Sequence, residues 1–128
     1  MTRKSDSSLL LALGCVFAGF AVAAGAFGAH SLKGVLDTQM LIVFETATRY
    51  QMYHALGLCI VAWAVERFPE RRLEPAGWLF LVGIVLFCGS LYGVSMAGLR
   101  WLGAVTPVGG VTLLVGWFLL GYRAWRMR

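Results

Sequence analysis

The chain alternates long apolar runs with short polar breaks. Four runs stand out, at residues 9–29, 46–65, 76–97 and about 102–122, and the basic clusters lie between or beyond them. A run of about 18 or more apolar residues is long enough to cross the hydrocarbon core of a bilayer. The pattern predicts an all-α membrane protein, a single domain over residues 1–128 folded as a four-transmembrane-helix bundle.

The second run differs from the others. Asp37 and Thr38 suit a helix N-cap, and nothing stops the helix before Glu66-Arg67-Phe68-Pro69. That gives a helix of about 28 residues, or ~42 Å at about 1.5 Å per residue. Its first turns, Met40 to Glu45, are amphipathic enough to lie at the interface. Its purely apolar part, residues 55–65, is only about 16 Å long and too short to cross. The helix must therefore draw Arg49, Gln51 and His54 below the outer surface. With Val65 at the inner boundary of a ~30 Å core, His54 falls about 12 Å deep and Arg49 about 5 Å, where it can snorkel. The same count puts Cys88, Gly109 and Gly110 near the level of His54 and Ser90 about one turn away. Pro107 either starts the fourth helix, with Thr106 as its N-cap, or kinks it.

Small residues mark packing faces. Gly14, Ala18, Ala21, Gly25 and Gly28 recur at alternating steps of four and three along the first helix. Lipid supplies little hydrophobic force between helices, so close backbone approach is a main source of attraction. Gly89 and Gly93 form a second small-xxx-small pair, and Gly109, Thr112 and Gly116 line the fourth helix. The first run could also be read as a signal peptide, because Arg3-Lys4 precede it and Ala24-Gly25-Ala26 resembles a cleavage site. Its 21 apolar residues exceed the roughly 7–15 of a typical signal core, which favours a retained helix.

Charge sets the orientation. Four crossings put both termini and the middle loop on one side, with Arg3, Lys4, Arg67, Arg71, Arg72, Arg123, Arg126 and Arg128; the other side carries Lys33, Arg49 and Arg100. The positive-inside rule then places both termini in the cytoplasm, in a cell (inner) membrane. Trp63, Trp78, Trp117, Tyr122 and Trp125 near the inner boundary, and Tyr50, Tyr92 and Trp101 near the outer, suit aromatic belts. The net charge of +5 comes from residues flanking the apolar runs, which points to membrane surfaces and not to nucleic acid. Cys15, Cys59 and Cys88 all lie in apolar runs and form no CxxC pair.

Two strings are distinctive. Gly25-Ala26-Phe27-Gly28-Ala29-His30-Ser31-Leu32-Lys33 closes the first run, and the stretch from Phe44 through Arg49-Tyr50-Gln51-Met52-Tyr53-His54-Ala55-Leu56 opens the second. With Gly103-Ala104-Val105-Thr106-Pro107-Val108-Gly109-Gly110, they make the chain resemble the YgdD/YwdK-like family of small membrane proteins over nearly its whole length. Ser31 stands where that family often has Ala, and Thr48 where it often has Val or Gly. The resemblance implies a small integral membrane protein, bacterial or organellar, with no established activity.

The polar residues of these strings converge on the outer side. His30, Lys33, Glu45, Arg49, Tyr50, Gln51, Tyr53 and His54 are expected either to surround one outward-facing polar pocket or to satisfy one another and clamp the first hairpin. An ionisable residue inside a membrane normally faces protein and marks function. For His54 two readings are open, a neutral hydrogen-bonded structural residue or one that handles protons or contacts a ligand. Its expected partners are Ser90, backbone near residues 103–110, or Tyr50. Without a second ligand at suitable spacing, a CxxC or an HExxH, the residues suggest no metal, no cofactor and no enzyme. The reading is a structural or accessory membrane component, held in the lipid bilayer with a membrane-protein partner or as a homo-oligomer. The alternative is a small oligomeric transporter or channel using the polar pocket around His54.

Overall fold

A computed structural model describes residues 3–126; Arg128 of the orientation argument lies outside them. Among the described residues the chain is helical with no strand, apart from one isolated bridge between Lys33 and Leu36. Four long helices follow in order: α1 (Arg3–His30), α2 (Thr38–Arg67), α3 (Glu74–Ala97) and α4 (Thr106–Trp125).

The ends follow local chemistry. Gly34, at φ 87°, turns the chain between α1 and α2. Asp37 caps α2 by accepting the Met40 N–H at 2.8 Å. Pro69 lies just beyond the end of α2 and opens a short 3₁₀ turn, Pro69–Arg71. Arg72 closes that turn in the left-handed region at φ 48°, unusual for a residue with a side chain. Pro75 sits in the first turn of α3, where its missing N–H costs nothing. Gly98, at φ 66°, ends α3. A 3₁₀ turn, Arg100–Ala104, then leads into α4. Pro107 starts α4 and does not kink it, but Thr106 is not its cap: Val105 holds that position, with no side-chain cap. The Thr106 hydroxyl bonds Ser90 on α3 instead.

Helix α3 contains a feature that the sequence pattern did not announce. Residues Ile84–Cys88 form a π turn between the α-helical segments Glu74–Gly83 and Gly89–Ala97. Such a turn bulges the backbone outward. The bulge carries Phe87 against Gly109 of α4, where a Cβ would stand 2.7 Å from Phe87 Cα.

Three helical stretches, Lys4–His30, Glu74–Ala97 and Arg100–Trp125, are long and apolar enough to cross a membrane. At 30 residues α2 is long enough, but Glu45, Arg49, Gln51 and His54 dilute its apolar character. Yet α2 lies in the interior. It packs along α1 on one side and along α3 on the other, while α4 packs mainly on α3 and α1 barely reaches α3. The packing is thus serial, and the compact bundle that the sequence suggests is opened between α1 and α3. The apolar core gathers toward the end of the stack that holds the start of α1 and the turn between α2 and α3, where Leu10, Leu58, Val61, Val65, Leu73, Phe80 and Ile84 are fully buried.

Candidate functional site

The residues picked out on the outer side part into two groups. His30, Lys33, Arg49, Tyr50 and Tyr53 are exposed and Glu45 is half-buried, whereas Gln51 and His54 are buried. Glu45 and Arg49 form a loose ion pair, 3.9 Å apart, along the outside of α2. The eight do not line one pocket: Glu45 and Arg49 border one groove, Gln51 another, and Tyr50, Tyr53 and His54 a third.

Gln51 reaches sideways to two helices. Its Nε2 donates to the carbonyl of Phe17 on α1 at 2.9 Å, and its Oε1 accepts from the Tyr92 hydroxyl of α3 at 2.8 Å. One amide therefore ties α1, α2 and α3 together. Tyr92 also stacks edge-on against Phe44, with ring centroids 5.2 Å apart. The sequence pattern assigned Tyr92 to an interfacial belt, but its hydroxyl belongs to this inner tie.

His54 faces α4. The Trp117 Nε1–H donates to His54 Nε2 at 3.0 Å, while Nδ1 lies 2.7 Å from the Tyr50 carbonyl one turn back. An indole N–H only donates and a carbonyl only accepts. Nε2 is therefore the acceptor and Nδ1 carries the proton, so the ring is neutral and both nitrogens are used. Phe80 packs edge-on against the same imidazole at 5.6 Å. Of the expected partners, the Tyr50 backbone is used, while Ser90 and residues 103–110 are not.

The partner missed was Trp117, and the reason lies in depth. Glycine contacts on α3 and α4 pair Gly83 with Leu113 and Gly116 with Phe80, and Gly57 of α2 meets both Phe80 and Trp117. His54 is thus level with the stretch between Phe80 and Ile84, about one to two turns nearer the Glu74 end of α3 than counting residues suggests. Helical side chains lean toward their own N-terminus, so Trp117 reaches back along α4 toward His54. A wheel that placed Trp117 on the same face as Gly109 and Leu113 was the one available signal.

A third tie joins α3 to α4. Ser90 Oγ is 2.7 Å from Thr106 Oγ1 and donates to the carbonyl of Phe87 at the end of the π turn. Between α2 and α4 lies a groove of about 350 Å³, bordered by Tyr50, Tyr53, His54, Phe87 and Trp117 and otherwise apolar. Among the described residues no cluster of three or more His, Cys, Asp or Glu side chains could hold a metal ion.

The small-residue positions divide as well. A Cβ on Gly14 would meet Cys59 and, at 2.9 Å, the Ala55 carbonyl of α2; on Gly28 it would meet the Phe44 ring at 2.8 Å. Gly25 faces the Thr48 methyl at 3.4 Å, Ala21 is buried and Ala18 half-buried. Gly93 meets only the Leu102 side chain, and Gly89 has nothing within 4 Å, so the pair is not a helix-packing motif. Gly109 and Gly116 do face α3, against Phe87 and Phe80.

An all-helical membrane protein with polar ties inside its helix stack is thus the class that the structure defines. Residues 24–110 match the family described as protein of unknown function (DUF423), and the chain belongs to that family. It is 43% identical over 113 residues to the UPF0382 membrane protein YwdK of Bacillus subtilis, covering 88% of this chain and 92% of that protein. UPF0382 membrane proteins of Staphylococcus epidermidis and Staphylococcus aureus are each 44% identical over 112 residues, covering 88% of this chain and 91% of theirs. No solved structure matches the chain.

Proposed function

We propose that this protein is a four-span component of the cell (inner) membrane, with both termini cytoplasmic, that serves a structural or accessory role and catalyses no reaction of its own. The observation that carries this reading is the closure of the buried polar groups upon one another. Gln51, Tyr92, His54, Trp117, Ser90 and Thr106 each bond within the chain. A proton carrier or ligand site needs a polar group with capacity to spare, and a neutral imidazole with both nitrogens engaged has little. Groups satisfied in this way act as fasteners between helices.

The fourth crossing is α2. Its deeper polar side chains, Gln51 and His54, face protein, where polar groups in a membrane belong, and its exposed face carries Leu56, Ile60 and Trp63 toward lipid. The basic residues favour cytoplasmic termini. A membrane-protein partner or a second copy would occupy the lipid-facing surface, and neither a cofactor nor nucleic acid is invoked.

Affinity purification of the full chain in mild detergent, with identification of what comes with it, tests the role. The expected result is a stable membrane-protein partner or homo-oligomer, together with proteoliposomes no leakier to protons and small ions than protein-free vesicles. Selective flux abolished by His54→Gln would overturn the reading in favour of a transporter or channel.

A further inference from the structure

At the inner ends of the helices two chain segments exchange arginine hydrogen bonds. The Arg71 Nη1 donates to the carbonyl of Arg126 at 2.7 Å, and the Arg123 Nη1 donates to the carbonyl of Arg72. The left-handed backbone at Arg72 belongs to this exchange, since its carbonyl is the one that Arg123 reaches. Arg126 in turn lies over the Tyr122 ring, 5.4 Å from its centre. Four arginines, two from the turn after α2 and two from the end of α4, thus gather at one place. Glu70 is one carboxylate in contact with them, 3.4 Å from Arg71 Nε. That contact is not a hydrogen bond, and Arg71 Nε is buried without a hydrogen-bond partner.

From this geometry we infer a binding site for the phosphate headgroup of an anionic phospholipid. Each guanidinium has five N–H donors in a planar fork; Arg71 gives its Nη1 to a carbonyl and keeps its Nε buried beside Glu70, which makes it an anchor, while the carbonyl contact of Arg123 uses its Nη1. The remaining edge of Arg123 and the exposed guanidinium of Arg126 match the paired oxygens of a phosphate diester. Main-chain contacts hold the Arg71 and Arg123 side chains in place, so a bound phosphate orders little that is not already ordered. Exposed Tyr122 and Trp125 flank the cluster and mark the depth at which headgroups lie. Basic pockets between helix ends at a bilayer surface recognise such headgroups. The site needs only a bilayer around the helices and holds whichever compartment this end faces, so it stands apart from the proposed role.

The test is native mass spectrometry of the full chain, given an equimolar mixture of phosphatidylglycerol and phosphatidylcholine with identical acyl chains. The wild type is expected to retain phosphatidylglycerol in preference by roughly tenfold or more, and Arg123→Gln/Arg126→Gln to lose about fivefold for each arginine removed. Lys4→Gln and Arg100→Gln, which change charge elsewhere, should keep the preference. If the double variant fails to fold by circular dichroism, Arg126→Gln decides, because it leaves intact the carbonyl that Arg71 uses; its preference should fall several-fold. The inference is overturned by equal retention of both lipids in the wild type, or by a loss in Lys4→Gln equal to that in the arginine variants, which would mean diffuse charge. It is also overturned if inorganic phosphate at millimolar concentration displaces the lipid completely, which would mean a soluble anion suffices.

Discussion

The seam between α1 and α2 and the seam between α3 and α4 both rely on glycine, but they are built differently. On the first, glycines mostly face parts of side chains that can move, the Phe44 ring at Gly28 and the Thr48 methyl at Gly25. Only Gly14 meets main chain, at the Ala55 carbonyl. Polar groups then fix this seam, with Gln51 bonded to Phe17 and Ser7 donating to Glu66 at 2.7 Å. On the second, Gly109 faces the main chain of Phe87, brought forward by the π turn, and Gly83 and Gly116 receive Leu113 and Phe80. The first seam sets glycines mainly against side chains that can move and is fastened by hydrogen bonds, and the second sets glycine against main chain, with the Ser90–Thr106 bond beside it. In lipid, shape should weigh more. Measured hydrogen bonds between membrane helices average about 0.6 kcal/mol and reach about 1.7, whereas forcing extra atoms into a packed seam costs about 1–3 kcal/mol.

The largest effect is therefore expected at Gly109. Gly109→Ala puts its methyl against backbone that cannot yield, and should cost about 3 kcal/mol in reversible unfolding from mixed micelles. Gly89→Ala, with open space around it, should stay within about 0.5 kcal/mol of wild type. Equal tolerance at the two positions would mean that the π turn does not press on α4.

On the first seam, Gly14→Leu and Ala21→Leu should each cost about 1–3 kcal/mol by the same assay. Gly25→Leu should cost less than Gly14→Leu, because only the Thr48 methyl stands in its way, and Val16→Leu on the lipid face should change stability by less than about 0.5 kcal/mol. If Val16 proves as sensitive as Ala21, the strip faces lipid and the seam is misplaced.

The polar ties come next. Gln51→Leu should cost about 1–2 kcal/mol, because it removes contacts to two helices and leaves the Tyr92 hydroxyl without its main acceptor. His54→Leu should cost about 1 kcal/mol, and His54→Gln less, since an amide oxygen can still accept from Trp117. A double-mutant cycle with His54→Leu and Trp117→Phe should give a coupling of about 0.6–1.7 kcal/mol. Zero coupling would dissolve the His54 tie. Smallest of all, Glu45→Gln should shift stability by no more than about 0.5 kcal/mol, as expected of a loose pair 3.9 Å apart on the outside of α2.

The two seams also differed in how far the sequence disclosed them. The strip from Gly14 to Gly28 could be seen because its spacing repeats along a regular helix, and the length of α2 because Asp37 caps it and Pro69 follows it. The need for Gln51 and His54 to face protein followed from the short apolar stretch behind them. Their partners did not follow. Counting residues assumed uniform α-helices with flush ends, and the π turn at Ile84–Cys88 breaks that assumption. Trp117 and Tyr92 were masked by their type, because aromatics near a helix end read equally well as interfacial belts. Serial packing, with α4 set mainly on α3, depends on side-chain fit across three seams, which no single helix pattern encodes.

The account rests on α2, the most polar of the four long helices, crossing the membrane as an interior element. The direct measurement is labelling with a membrane-impermeant maleimide in intact cells, with Cys15, Cys59 and Cys88 replaced by Ala. Val35→Cys and Glu70→Cys, at exposed positions just outside either end of α2, serve as the reporters. The account predicts that Val35→Cys is labelled from outside and Glu70→Cys only after permeabilisation. Labelling of both from the same side would put α2 on the membrane surface and contradict it.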